Sequence, residues 1–161
     1  MLRTNGLSVP GGAVRRPAVR LREGGHVSAP ALFALRDGDG LGSTTVALVQ
    51  VEGRFDSPAC DALFATVDRL CRAQVPRMVL DLSRVWAMSS SAAAACLLAI
   101  GTARSRDGDL IILRPTPAVR DVLDVLGLTV LLPVASDLVS AIAAIGTPPG
   151  PRPDPSGGRP A

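Results

Sequence analysis

Lysine and tyrosine are missing from this 161-residue chain, and histidine occurs once, as His26. Those absences bear on chemistry. A serine or cysteine nucleophile needs a base within hydrogen-bond reach, and neither a lysine nor a second histidine is there to supply one. The serine cluster at 89–91 lies between Met88 and Ala92, so it also lacks the glycines of a G-x-S-x-G elbow. No Walker-type or G-x-G-x-x-G loop stands between a strand and a helix. Cys60, Cys71 and Cys96 form no C-x-x-C pair and no Cys/His cluster with metal-ligand spacing. The Asp37-Gly38-Asp39-Gly40 run lacks the third acid and the closing glutamate of a calcium loop. We therefore expect no catalytic residue, no metal and no cofactor. Aromatic residues make up 2 % of the chain. With so few, the core has to be built from Val, Leu, Ile and Ala, which suits a sheet covered by small-residue helices.

Long apolar runs are also missing. None is long enough to span a bilayer, and no secretory segment follows the N-terminal arginines. Free thiols inside apolar helical patterns fit a reducing compartment. Together these features point to a cytoplasmic protein with no membrane segment. The net charge of +3 comes with arginine as the only strong base. Residues 1–43 hold six Arg against three acids, whereas 44–146 hold nine against ten. The basic excess therefore sits at the ends, and direct nucleic-acid binding by the central part is not expected. Residues 1–28 are rich in Gly, Pro and Arg without periodicity and read as a disordered arm that includes His26. Residues 147–161 read as a disordered Pro/Gly-rich tail. A single folded domain is expected over 29–146.

Inside that domain the pattern alternates. Apolar runs at 31–35 and 44–51, separated by the Asp/Gly-rich turn at 37–42, predict an antiparallel hairpin. Asp56 or Ser57 as cap and Pro58 in the first turn open a helix, with Leu63, Phe64, Val67, Leu70 and Cys71 as its buried stripe. A strand at 78–82, a loop and an alanine-rich helix to about Arg106 follow. A strand at 110–113 comes next, then a helix after Pro117 with Val119, Val122, Leu123 and Leu126 inward and Gly127 as its C-terminal glycine. A strand at 129–132 and a helix capped by Ser136, with Leu138, Val139, Ile142 and Ile145 inward, close the domain. The order β-β-α-β-α-β-α-β-α predicts an α/β fold with a mostly parallel sheet of four to five strands and about four helices. Functional groups in such sheets collect at the carboxyl ends of the strands.

The segment richest in functional signal is there. A strand leads to Ser89, Ser90 and Ser91 and then directly into a helix, so a hydroxyl stands at the positive end of a helix dipole. A serine modified by an external kinase needs no base of its own. It needs exposure and a place for the phosphate. The same serines also suit simple capping, with Ser89 as the cap. Both readings stand on these residues alone.

Three further pieces make the chain from about Ala31 to Ile145 resemble a STAS domain, the fold of bacterial anti-sigma factor antagonists. Val51-Glu52-Gly53-Arg54-Phe55-Asp56 resembles the family's G-x-L-D turn. Val79-Leu80-Asp81-Leu82 followed by Val85 resembles its central strand. The run from Val119 to Leu128 (VRDVLDVLGL) resembles its third helix and closing Gly-Leu. Met88-Ser89-Ser90-Ser91-Ala92 occupies the place of the family's D-S-[ST]-G turn, with Ser89 for Asp and Ala92 for Gly. The resemblance implies an anti-sigma factor of the serine-kinase type as partner and Ser90 as the phosphorylated residue. It implies a docking face made of Gly53, Arg54, Asp56, Ser57, Trp86, Ser89, Ser91, Ala92 and the first half of the following helix. Two other readings remain beside it: a STAS scaffold that binds without phosphorylation, and a small-ligand or nucleotide sensor using the helix N-terminus.

Overall fold

The computed structural model describes residues 25–36 and 43–146. The arm up to residue 24, the turn at 37–42 and the tail at 147–161 lie outside the described residues. The elements in chain order are β1 (His26–Val27), β2 (Ala31–Arg36), β3 (Ser43–Phe55), α1 (Ser57–Arg72), β4 (Arg77–Met88), α2 (Ser90–Arg104), β5 (Asp109–Leu113), α3 (Pro117–Val125), β6 (Val134–Ala135) and α4 (Leu138–Gly146). The expected α/β order is present, with one more strand, β1, built from residues assigned above to the arm. His26 pairs with Glu52, and Gly25 packs so closely that an added Cβ would run into the Arg54 carbonyl oxygen.

β3, β4, β5 and β6 pair in parallel in that order, while β1 and β2 lie antiparallel along the other side of β3. The sheet is buried on both faces along its middle, so its strands read as near-continuous apolar runs. Alternation divides them. Ala47, Val49, Val51, Met78, Leu80, Leu82, Leu110 and Ile112 join the core under α1, α2 and α3. Val46, Val79, Ile111 and Leu113 face α4, meeting Ala141 and Ile145. In α2 the residues Ala92, Ala93, Ala95, Cys96, Ala99 and Ala103 are all buried. Small side chains let that helix sit close to the sheet, which compensates for the shortage of aromatics. No described helix is long and apolar enough to cross a membrane.

Several expectations are corrected. β3 and β4 do not stop at 51 and 82. They stay paired to Phe55↔Met88, with register shifts between Gln50 and Glu52 and between Gly53 and Arg54. These irregularities take up the polar residues that break the apolar alternation. Residues 129–131 form turns, with Leu131 and Leu132 amides donating to the Leu128 carbonyl; the edge strand is Val134–Ala135. Asp137, and not Ser136, caps α4 by accepting from the Ser140 amide at 2.8 Å. Phe64, Leu126 and Val139, expected inward, are exposed: apolar spacing marks a helix face but not which of its residues find a packing partner. Gly127 does take the C-terminal position with φ +67°, where a left-handed backbone favours glycine.

One polar group is built into the sheet. Asp81 is 2 % exposed. It accepts from the Ser83 amide at 2.9 Å, from Gln50 Nε2 at 3.3 Å and from Arg114 at 3.2 Å. Burial by itself pushes this carboxyl up, but the Ser83 bonds, Gln50 and Arg114 together hold it below the usual aspartate value. A lowered folded-state value means the contribution is complete above the unfolded value of about 3.9 and disappears as pH falls through the folded one. Asp81→Asn is therefore expected to lower stability at neutral pH and to flatten the loss of stability below about pH 4. Urea unfolding at a series of pH values reads both effects. Parallel curves for the two proteins in the acid range would refute the assignment.

Candidate docking site at the start of the serine helix

The pairing of β3 with β4 to their ends brings two helix starts together. Phe55 closes β3 and α1 begins at Ser57; Met88 closes β4 and α2 begins at Ser90. The Ser89 amide donates to the Phe55 carbonyl at 3.0 Å and the Ser89 hydroxyl approaches the same oxygen at 3.4 Å. The N-termini of α1 and α2 are thus tied to each other through Phe55, the last residue of β3, and Ser89, the cap of α2.

The three serines have different jobs. Ser89 is the N-cap of α2: its Oγ accepts from the Ala92 amide at 3.1 Å, and its carbonyl accepts from the Ala92 and Ala93 amides. Ser90 and Ser91 are the first two residues of the helix and both are exposed. Their amides have no acceptor among the described residues, so two N–H donors and the positive end of the helix dipole remain available beside two free hydroxyls. Capping and exposure, which the sequence left as alternatives, are therefore divided between neighbouring residues.

The other residues expected at the site are distributed unevenly. Ser57 and Arg54 are exposed beside the turn. Asp56 occupies the N-cap of α1 without making a side-chain cap bond, and its Oδ1 is buried with no hydrogen-bond partner among the described residues. Gly53 lies within β3 at φ +85°, a backbone that a side chain rarely adopts. Trp86 stands on β4, where a loop was expected, and is 63 % exposed. Ala92 is fully buried under the turn. It shapes the site from below and cannot touch a docked protein, which corrects its place among the contact residues.

Sequence reasoning missed two groups that hold the site. The Phe55 carbonyl anchors Ser89, a role without any side-chain signal. Thr116 caps α3 and donates its hydroxyl to the Val85 carbonyl at 2.7 Å, fixing β4 one residue before Trp86. The Thr before Pro117 is a cap signal, but the long-range bond is visible only in the fold. Arg84 pairs with Glu52 at 2.8 Å on the exposed sheet surface. Such a pair is worth at most about 1 kcal/mol. The thiols play no part here: Cys60, Cys71 and Cys96 are free and buried. Burial, with Cys60 nearby, pushes the Cys96 thiol up to about 12, so it stays protonated. No group of residues among those described could hold a metal ion.

Comparison with known proteins places this geometry. A family profile described as "Mlab, STAS domain" matches residues 42–133. No curated protein matches the chain. Among solved structures, the anti-sigma factor antagonist SpoIIAA in its unphosphorylated form is 19 % identical with a TM-score of 0.55, covering 73 % of this chain and 98 % of that one. The phosphorylated form of SpoIIAA from Bacillus gives 19 % identity and a TM-score of 0.51, covering 73 % and 99 %. A putative antagonist from Thermotoga maritima gives 14 % and 0.58, covering 72 % and 95 %. An antagonist from Mycobacterium paratuberculosis gives 23 % and 0.51, covering 74 % and 96 %. At these identities the likeness is one of fold.

Proposed function

The chain belongs to the STAS domain family, and from that premise we propose that it is an anti-sigma factor antagonist. It docks on an anti-sigma factor of the serine-kinase type, displaces the bound sigma factor and so raises transcription indirectly. The docking face is the start of α2 together with Arg54, Ser57 and Trp86, and Asp56 lines it from within. The protein acts by binding, in the cytoplasm, and brings no catalytic group of its own.

The observation that carries this reading is the division of labour at the serine turn: Ser89 caps, while Ser90 is exposed next to unbonded helix amides. A phosphate on Ser90 brings a charge of about −1.5 to −2 at neutral pH. The helix start accommodates that charge within this chain. A partner surface lying against the turn has to desolvate it or repel it. The result is a switch of affinity that needs no refolding.

Incubation with candidate partner kinases and ATP tests the reading. Intact mass should rise by about 80 Da, one phosphoryl group, and the increase should vanish in Ser90→Ala. A shift that persists in Ser90→Ala would move the modification elsewhere. Tight partner binding with no shift would support a second reading, a STAS module without phosphocontrol. The feature that favours this alternative is Ser89, a neutral hydroxyl already engaged with Ala92 and Phe55. Saturable nucleotide binding with no protein partner would overturn both.

A further inference from the structure

β1 and β2 run end to end along one side of β3, so β2 is an edge strand. Among the described residues nothing pairs with its outer side. Edge strands are normally protected by charge, proline, a bulge or shortness, because their free N–H and C=O groups are a template for another strand. Residues 31–35 of β2 read Ala-Leu-Phe-Ala-Leu with no charge or proline among them; Pro30 and Arg36 bound the stretch. Leu32 is 58 % and Phe33 37 % exposed, and Ala31 and Ala34 are exposed too.

We propose that β2 pairs antiparallel with β2 of a second copy of this chain, across a two-fold axis at Phe33, joining the two sheets into one. The strand itself is self-complementary, which suits a second copy. An antiparallel pair of identical edge strands requires a two-fold axis normal to the sheet. Residues directly opposite one another must then point to the same face, so the axis has to pass through a residue and not between two. With the axis at Phe33, Ala31 opposes Leu35 of the second copy, Leu32 opposes Ala34, and Phe33 meets Phe33. Small residues face large ones on both surfaces, with an aromatic pair at the centre. An axis at Leu32 would set Pro30, which has no N–H, against Ala34. An axis at Ala34 would set Arg36 against Leu32. Only the Phe33 register confines the pairing to the five uncharged residues. The serine turn lies at the opposite end of β3 from most of β2, which pairs with residues 43–48, so a dimer leaves the docking face open.

Sedimentation of the full chain tests the proposal. Wild type is expected to reach twice its 16.5 kDa mass as concentration rises. Phe33→Lys and Phe33→Glu should each weaken self-association at least about tenfold, because like charges then meet on the axis. An equimolar mixture of the two should restore the dimer by pairing opposite charges. Leu32→Glu mixed with Ala34→Lys is a second complementary pair, for use if a Phe33 variant loses its circular dichroism. A wild type that stays monomeric, a Phe33→Lys variant that dimerises like wild type, or a mixture of folded complementary variants no better than its components would each overturn the proposal.

Discussion

Ser90→Asp is expected to weaken binding to the proposed anti-sigma partner on the order of 100-fold, or about 3 kcal/mol, while leaving the fold intact. The two effects separate for a physical reason. Ser90 is the first residue of α2, and a carboxylate there lies near the positive end of the dipole, worth about 0.3–1 kcal/mol in favour of the helix. In the proposed complex the same carboxylate would face a partner surface fitted to a neutral hydroxyl, where an unpaired charge is costly. Ser90→Asn, close in size and neutral, should bind nearly as wild type, so charge rather than bulk is what the comparison reads. Calorimetric titration of the three proteins against the purified partner, with melting curves as a control on folding, measures both sides. Equal affinity for Ser90→Asp and wild type would remove the electrostatic switch. Equal loss in the Asp and Asn variants would make the site steric.

Leu80→Ala should cost about 3 kcal/mol of folding stability and lower the melting temperature by roughly 12–18 °C for a domain of this size. Leu80 is fully buried on the central strand, paired with Val49 on β3 and Ile112 on β5. The helix-side core to which it belongs is made mostly of aliphatic and alanine side chains. The alanines of α2 are already at the minimum size that keeps the helix against the sheet, so nothing nearby can swing in to fill the space, and the cavity stays open. Leu98→Ala, on the outward face of α2, is the control. Leu98 is 61 % exposed, and its truncation should change stability by no more than about 0.5 kcal/mol. Similar losses for the two variants would mean that the core is not packed as described.

The two predictions draw on features that were unequally legible in the sequence. Leu80 could be placed in a buried strand from its neighbours, because a continuous apolar run bounded by polar residues has few other uses. The free hydroxyl of Ser90 could not be separated from the capping hydroxyl of Ser89 in the same way. Three consecutive serines differ only in where the helix begins, and that point is set by where β4 ends. The end of β4 is in turn set by its pairing with β3, some thirty residues earlier in the chain. Trp86 was assigned to a loop for the same reason: Asp81, Ser83 and Arg84 interrupt the apolar alternation, whereas in the folded protein Asp81 is held by Gln50, Ser83 and Arg114 and the strand continues past it.

By itself the sequence determined what is local. Apolar spacing, caps and turn residues specified most of the alternation of strands and helices, the aliphatic and alanine-rich core and the C-terminal glycine at Gly127, since each depends on residues within a turn or two of one another. Tertiary structure alone decided what depends on partners distant in the chain. It extended β3 and β4 to Phe55 and Met88, recruited His26–Val27 into the sheet and left the outer side of β2 unpaired among the described residues. It buried Ala92 while exposing Phe64 and Val139. It also distinguished the serines, because a hydroxyl becomes a cap or a site only after β3 and β4 have fixed the point at which the chain turns into α2.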